Sequence, residues 1–267
     1  MNFGLQNEQE IINILDETYV KDLPAFWKKF ICSLFPTALD NDLIHCFKEP
    51  PEKKQDICIM ACGTRRNVSI KSGNSVSVHE ESINRFCGFL KWCGVSEQSL
   101  TFLKIFQYGD GTTDGTGNYR QSTKELIEKY PEEIKKINEE VNNQVILLMI
   151  IRRFLSIGTP NNPSVVNCLY YGTKDGGIYC NMKMLCEYLS KKKYDNIKGI
   201  HFGPFVFYPR YRGVNKPNPV EVDSLDKLIF KRERYYISIK WPSIEKDMND
   251  YITDVREDIK TRNKKYY

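Results

Sequence analysis

The sequence predicts an α/β protein: a central mixed β-sheet flanked by helices, with an elaborated β-rich C-terminal region. Three observations predict it. Two apolar stripes at helical spacing open the chain, a period-two alternation runs on both sides of Gly63, and strand-like character returns after Asn167. At 267 residues, 41% apolar and 27% charged, the chain can bury the core of one large domain, or of a domain with a smaller appended part. The division falls between 1–165, a core carrying a helical insertion, and 166–267, a C-terminal α/β region that can belong to the same domain.

The first helix is read from Leu5, Ile11, Ile12 and Leu15, with Glu8, Glu10 and Asp16 nearby. A second, from Leu23 to Phe35, carries Phe26, Trp27, Phe30, Ile31 and Leu34 at helical spacing, and Pro36 stops it. Residues 48–55 form a polar, Pro-containing connection. Asp56 to Cys62 then reads as a strand, Gly63-Thr64 as a tight turn, and Arg65 to Lys71 as the returning strand. That register sets Asp56 opposite Lys71. Side chains alternate along a strand, so Asp56, Ser69 and Lys71 share one face, while Ile57, Ile59, Val68 and Ile70 share the other, buried one.

Residues 72–81 read as a short polar connection. A helix from about Glu80 to Trp92 follows, with Ser77 as N-cap and Glu80 completing a capping box, and Gly94 ends it. Gly109–Gly117 holds four glycines and two aspartates, so it is an irregular loop. It lacks the ligand spacing of an EF-hand, and a DNA contact involving Arg120 beyond it is the preferred reading. Pro131 opens a long helix to about Ile157, closed by Gly158. Ile200–Tyr211 and Arg234–Trp241 are the clearest later strands.

Several classes drop out. The longest apolar run, 145–151, is far short of the roughly 20 residues of a membrane span. The N-terminus lacks the basic and apolar regions of a secretory signal, so a soluble, cytoplasmic protein is expected. No GxxxxGK[ST] phosphate loop occurs. The nine cysteines and three histidines show no zinc-finger spacing, and Cys58 and Cys62 read as reduced thiols rather than a soft-metal site. The net charge of +5 permits a polyanionic partner without requiring one. Arg210, Arg212, Arg232 and Arg234 interleave with aromatics, a pattern suited to phosphate contacts with base stacking.

Cleaving a phosphodiester needs a divalent metal, an activated water and charge neutralisation on phosphate. Carboxylates from separate elements hold Mg²⁺, and a lysine beside them can orient water or stabilise the developing charge. This chain offers Glu8 or Glu10 on the first helix, Asp56 opening the hairpin, and Lys71 across from it.

These residues resemble the PD-(D/E)XK nuclease superfamily: Glu8 in Gly4-Leu5-Gln6-Asn7-Glu8, then Lys54-Gln55-Asp56-Ile57, then Ser69-Ile70-Lys71 before a helix. The resemblance covers about residues 4–92 and implies a restriction-endonuclease-like core. It implies Asp56 as a ligand of Mg²⁺ (or Mn²⁺), Lys71 as the group assisting the water, and Glu8 as a contributing acid. Gln55 stands in the family's proline position, and Ser69 replaces the (D/E)XK acid. Glu80 or Glu81, at the start of the following helix, would then supply the missing carboxylate. Asn74 and Ser75 would offer backbone amides to a phosphate. The expected protein is a Mg²⁺-dependent DNA endonuclease, a restriction or phage-defence enzyme, and a homodimer, since cutting both strands commonly uses two symmetry-related sites. The alternatives are a catalytically silent module that binds nucleic acid or protein, which Ser69 favours, and an interaction protein without nucleic acid, which fits the small net charge.

Overall fold

The structure, a computed structural model, describes residues 3–73, 76–117, 120–158, 165–195, 197–212, 220–222, 228–230 and 233–264; within these, the side chains of 210–235 and 256–264 lie outside the description. In chain order the elements begin with α1 (Phe3–Leu15), β1 (Thr18–Tyr19), α2 (Ala25–Leu34), β2 (Leu43–Lys48), β3 (Ile57–Ala61), β4 (Thr64–Lys71) and β5 (Val76–Ser82). Helices follow as α3 (Ile83–Trp92), α4 (Glu97–Tyr108), α5 (Thr123–Lys129), α6 (Pro131–Val141) and α7 (Gln144–Arg152). After these come β6 (Cys168–Thr173), β7 (Gly176–Asn181), α8 (Met182–Lys191), β8 (His201–Phe202) and β9 (Phe205–Arg212). The last are β10 (Val220–Val222), β11 (Leu228–Phe230), β12 (Glu233–Trp241) and α9 (Ile244–Lys264).

Two compact units result. The first comprises residues 1–76, 151–191 and 243–267, the second 77–150 and 192–242. The first unit is built on a six-stranded sheet in the order β1-β2-β3-β4-β6-β7. Its pairs are antiparallel except β4 with β6, which run parallel, so the sheet is mixed as the sequence predicts. A parallel neighbour needs a long crossover; here residues 72–167 supply it and form much of the second unit.

One face of this sheet is the core. Ile44, Cys46, Ile57, Ile59, Ala61, Val68, Ile70 and Tyr170 pack with Ile11, Ile12 and Leu15 of α1 and with Trp27, Phe30 and Ile31 of α2. Trp27 keeps its indole N–H satisfied by donating to Lys174 O at 2.9 Å. Because strand residues alternate, His45, Phe47, Asp56, Cys58, Met60, Arg65, Asn67, Ser69 and Lys71 share the opposite face.

The second unit holds a four-stranded sheet in the order β5-β12-β9-β8. Phe86 of α3 meets Phe202, and Phe106 of α4 meets Phe207, at ring-centroid separations of 5.5 and 6.0 Å.

Four local expectations are corrected. The hairpin turn is Cys62-Gly63, with φ of 50° and 67°, because β-branched Thr64 avoids positive φ and instead pairs with Ala61. Residues 76–82 are a strand, since Val76 and Val78 suit a sheet and the Ser77 hydroxyl meets Ser238 at 3.3 Å. The next helix therefore starts later, at Ile83, where the Ser82 side chain accepts from Arg85 N; the box built on Ser77 and Glu80 does not form. Finally, the helix expected from Pro131 to Ile157 breaks at Asn142-Asn143. There the Asn142 side chain donates to His201 O at 3.0 Å and accepts from Gly203 N at 2.6 Å.

Candidate active site

Asp56 lies one residue before β3. Its backbone N–H donates to Val68 O at 3.0 Å and its carbonyl accepts from Glu49 N at 3.1 Å, so the ladder on both sides reaches it. Ile70 N–H points to the same side of β4 as Val68 and would have no partner past the end of β3. The Asp56 carboxylate fills that place. Its Oδ2 accepts from Ile70 N at 2.6 Å, from the Ser69 hydroxyl at 3.0 Å and from Lys71 Nζ at 3.1 Å. Among the described residues every hydrogen bond to the carboxylate falls on Oδ2, and none on Oδ1.

Moving the turn by one residue shifts the pairing register by two, which keeps the face and changes the partner. With Ile57 opposite Val68, the next pair outward is Asp56 with Ser69, and Lys71 reaches Asp56 diagonally. The ammonium also donates to Ile70 O at 2.9 Å, so its third proton has no acceptor among the described residues. The pair is accessible, with side chains 24% exposed for Asp56 and 18% for Lys71, whereas Ser69 is buried. This is a charge-assisted cluster in which one carboxylate oxygen and one ammonium proton have no partner among the described residues.

The other expected residues lie as follows. Glu8 pairs with Lys48 at 3.1 Å. Lys48 stands opposite Ile57, on the helix-covered side of the sheet, so the structure does not bring Glu8 into the Asp56 cluster. Glu80 is exposed on β5 of the second unit. Glu81 is buried on the same strand and meets His79 Nε2 at 2.8 Å. Arg120, half-buried beside the glycine loop, reaches Gly115 O at 3.5 Å. In that loop Asp110 accepts from Thr112 and Gly117, and Asp114 accepts from Thr116, so both aspartates act as local turn formers. Asn74, Ser75 and Arg232 lie outside the described residues. Arg210, Arg212 and Arg234 lie on described strands, their side chains outside the description.

Sequence reasoning missed Glu49. Its backbone pairs with Asp56 across β2 and β3, which places it in the row Glu49–Asp56–Ser69. Its carboxylate is buried and paired with Arg65. The signal was present: Ile44 and Cys46 alternate with His45 and Phe47 as a strand should, and extending that strand one residue reaches Glu49.

Among the described residues no three His, Cys, Asp or Glu side chains cluster as a metal cage. The donors present still fit Mg²⁺, which takes hard oxygens and keeps several of its waters. Asp56 Oδ1 is a carboxylate oxygen with no competing hydrogen bond among the described residues, and Glu49 stands beside Asp56 in the row.

A curled mixed sheet with helices on its flanks matches a restriction-endonuclease-like fold. The crystal structure of restriction endonuclease MspI in complex with its cognate DNA is similar to this chain with a TM-score of 0.55, over 89% of this chain and 88% of that one. At 14% identity the likeness is one of fold. No family model matches the chain, and no curated protein matches it in sequence. No helix among the described residues is long and apolar enough to cross a membrane.

Proposed function

We propose that this chain is a divalent-metal-dependent endonuclease that hydrolyses phosphodiester bonds in DNA. The observation that carries the reading is the partly exposed Asp56–Lys71 pair at the end of the hairpin, with Oδ1 and one ammonium proton unpartnered among the described residues. Its setting in a restriction-endonuclease-like fold, similar to a protein solved with its cognate DNA, supports the same reading.

Asp56 Oδ1, with Glu49 as its row neighbour, would hold Mg²⁺ or Mn²⁺. The bound ion supplies charge neutralisation on the phosphate and a more acidic water. Lys71 presents its free proton to the phosphate oxygens or to the attacking water. Ser69 takes the position of the family's second acid and acts here by donating to Asp56 Oδ2, which fixes the carboxylate. A restriction or phage-defence role, and pairing of two chains to cut both strands, belong to this proposal.

The test is conversion of supercoiled plasmid with Mg²⁺ or Mn²⁺ added. Wild type cuts, and Lys71→Ala loses at least about 100-fold, in line with removal of one stabilising donor from an active site. Replacing Glu8, Glu49, Glu80 and Glu81 by glutamine one at a time, with Mn²⁺ affinity as readout, assigns the second acid. Ser69 itself favours one competing reading, a silent DNA-binding module. Retention of plasmid by wild type without cleavage under any divalent ion would establish that module and overturn the enzyme.

A further inference from the structure

Arg65 is held more firmly than a surface arginine needs to be. Its Nε donates to Asn67 Oδ1 at 3.2 Å, its Nη2 pairs with the Glu49 carboxylate, and its guanidinium carbon lies 5.8 Å from the Phe47 ring centre. Asn67 is itself fixed, with its backbone N–H donating to Asn167 Oδ1 at 2.8 Å and its side-chain amide to Val165 O at 3.0 Å. Glu49 is buried beneath the pair, while the Arg65 side chain remains 50% exposed. The ion pair offsets the cost of burying the Glu49 carboxylate, whereas the contacts to Asn67 and Phe47 add only about 1 kcal/mol each at a half-exposed side chain. Together they fix the plane of the guanidinium and leave its Nη1 protons without a partner among the described residues, a preset planar donor that suits a phosphate.

The surroundings fit the same ligand. Register puts Tyr19, Leu43, Phe47 and Met60 on the sheet face that carries Arg65, Asp56 and Lys71, and all four are exposed. Lys21 adds a second cation 5.5 Å from the Tyr19 ring centre. Cations beside exposed aromatic faces are the chemistry of a nucleic-acid track, where phosphates meet the charge and bases or sugars lie on the rings.

We propose that Arg65 is a phosphate anchor for the DNA strand whose cleavage Asp56 and Lys71 carry out, with Phe47 as its supporting platform. Four residues of strand separate Arg65 from Ser69, about 13 Å at roughly 3.3 Å per residue. The guanidinium leans back towards Glu49 in the row of Asp56. The anchored phosphate therefore lies within about four nucleotides of the cut, at 3.4 Å of rise per nucleotide. This rests on the nuclease reading, and the experiment separates the two.

Binding of a fluorescein-labelled DNA duplex to the full chain is followed by anisotropy in EDTA, at salt from 50 to 200 mM, for wild type, Arg65→Gln, Arg65→Lys and Phe47→Leu. Arg65→Gln is expected to bind about 5- to 20-fold more weakly at low salt and to lose about one unit from the slope of log affinity against log salt. Arg65→Lys keeps the slope but binds more weakly than wild type, because the ammonium lacks the planar fork. Phe47→Leu weakens binding about 2- to 5-fold with the slope unchanged. Wild-type affinity and slope in Arg65→Gln, with plasmid cleavage intact, overturn the anchor alone. A wild-type chain that neither binds nor cuts DNA overturns both readings. Should Arg65→Gln fail to fold, Arg65→Lys and Phe47→Leu decide: wild-type affinity in both refutes the anchor.

Discussion

At the scale of the residue, Asp56 does two jobs with its two oxygens. Oδ2 completes the sheet by taking the N–H of Ile70, and Oδ1 is the oxygen the proposed reaction would use. Asp56→Ala is therefore expected to remove cleavage and also to lower stability by about 1–3 kcal/mol, because a buried donor loses its acceptor. Urea unfolding followed by circular dichroism measures the second effect. Ser69 has one job in this arrangement, holding the carboxylate. Ser69→Ala should cost about 1 kcal/mol of stability and leave plasmid cleavage within about tenfold of wild type. A loss as deep as that of Lys71→Ala would show that the hydroxyl itself takes part in the reaction. From the sequence, Asp56, Ser69 and Lys71 were legible as one cluster because strand alternation is strict. Their exact pairing was not, since it depended on which residues accept positive φ.

At the scale of the element, the hairpin shows how a small turn preference sets the site. Cys62 adopts a left-handed conformation that costs a non-glycine residue about 1 kcal/mol, offset in part by its thiol donating to Asp42 Oδ2 at 3.1 Å. Asparagine accepts that conformation, and Asn-Gly is a preferred pair for this turn. Cys62→Asn should raise the melting temperature by about 1–4 °C without altering cleavage. The β6–β7 hairpin is less forgiving. A Cβ on Gly172, at φ of 155°, would press on Gly176 O and come within 2.6 Å of Gly177 Cα, both rigid backbone. Gly172→Ala should lower stability by several kcal/mol, read as a drop in the denaturant midpoint. The two N-terminal helices were legible because their apolar stripes are regular. Strand β5 was hidden because Ser77, His79 and Glu80 look like loop residues until a sheet partner covers one side.

At the scale of the whole molecule, the chain does not run through its two units in sequence. Residues 151–191 and 243–267 return to the first unit after excursions into the second. Pairing between distant segments, such as β4 with β6, leaves no local mark in composition, so only the mixed α/β class was readable in advance. Thiol reactivity tests the packing of both units at once. Cys32 and Cys62 are exposed, and the other seven cysteines are buried. Burial pushes the thiols of Cys87, Cys180 and Cys186 up to about 12 and raises those of Cys46 and Cys168 as well. At pH 8 a thiolate-selective reagent should modify two groups quickly in the native protein and all nine after denaturation. Cys62 should react more slowly than Cys32, because its hydrogen bond to Asp42 holds the thiol protonated. Rapid labelling of more than two groups in the native protein would contradict this packing.

The acceptor role of Asp56 has an evolutionary corollary. Catalytic acids often strain their hosts, so that a lineage released from selection for activity discards them readily. Here the carboxylate closes a gap in the strand network, so under the proposed nuclease reading a descendant that had ceased cutting would still suffer for losing it. Survival of this aspartate in distant relatives would accordingly be poor evidence that they remain enzymes; retention of the lysine beside it would say more.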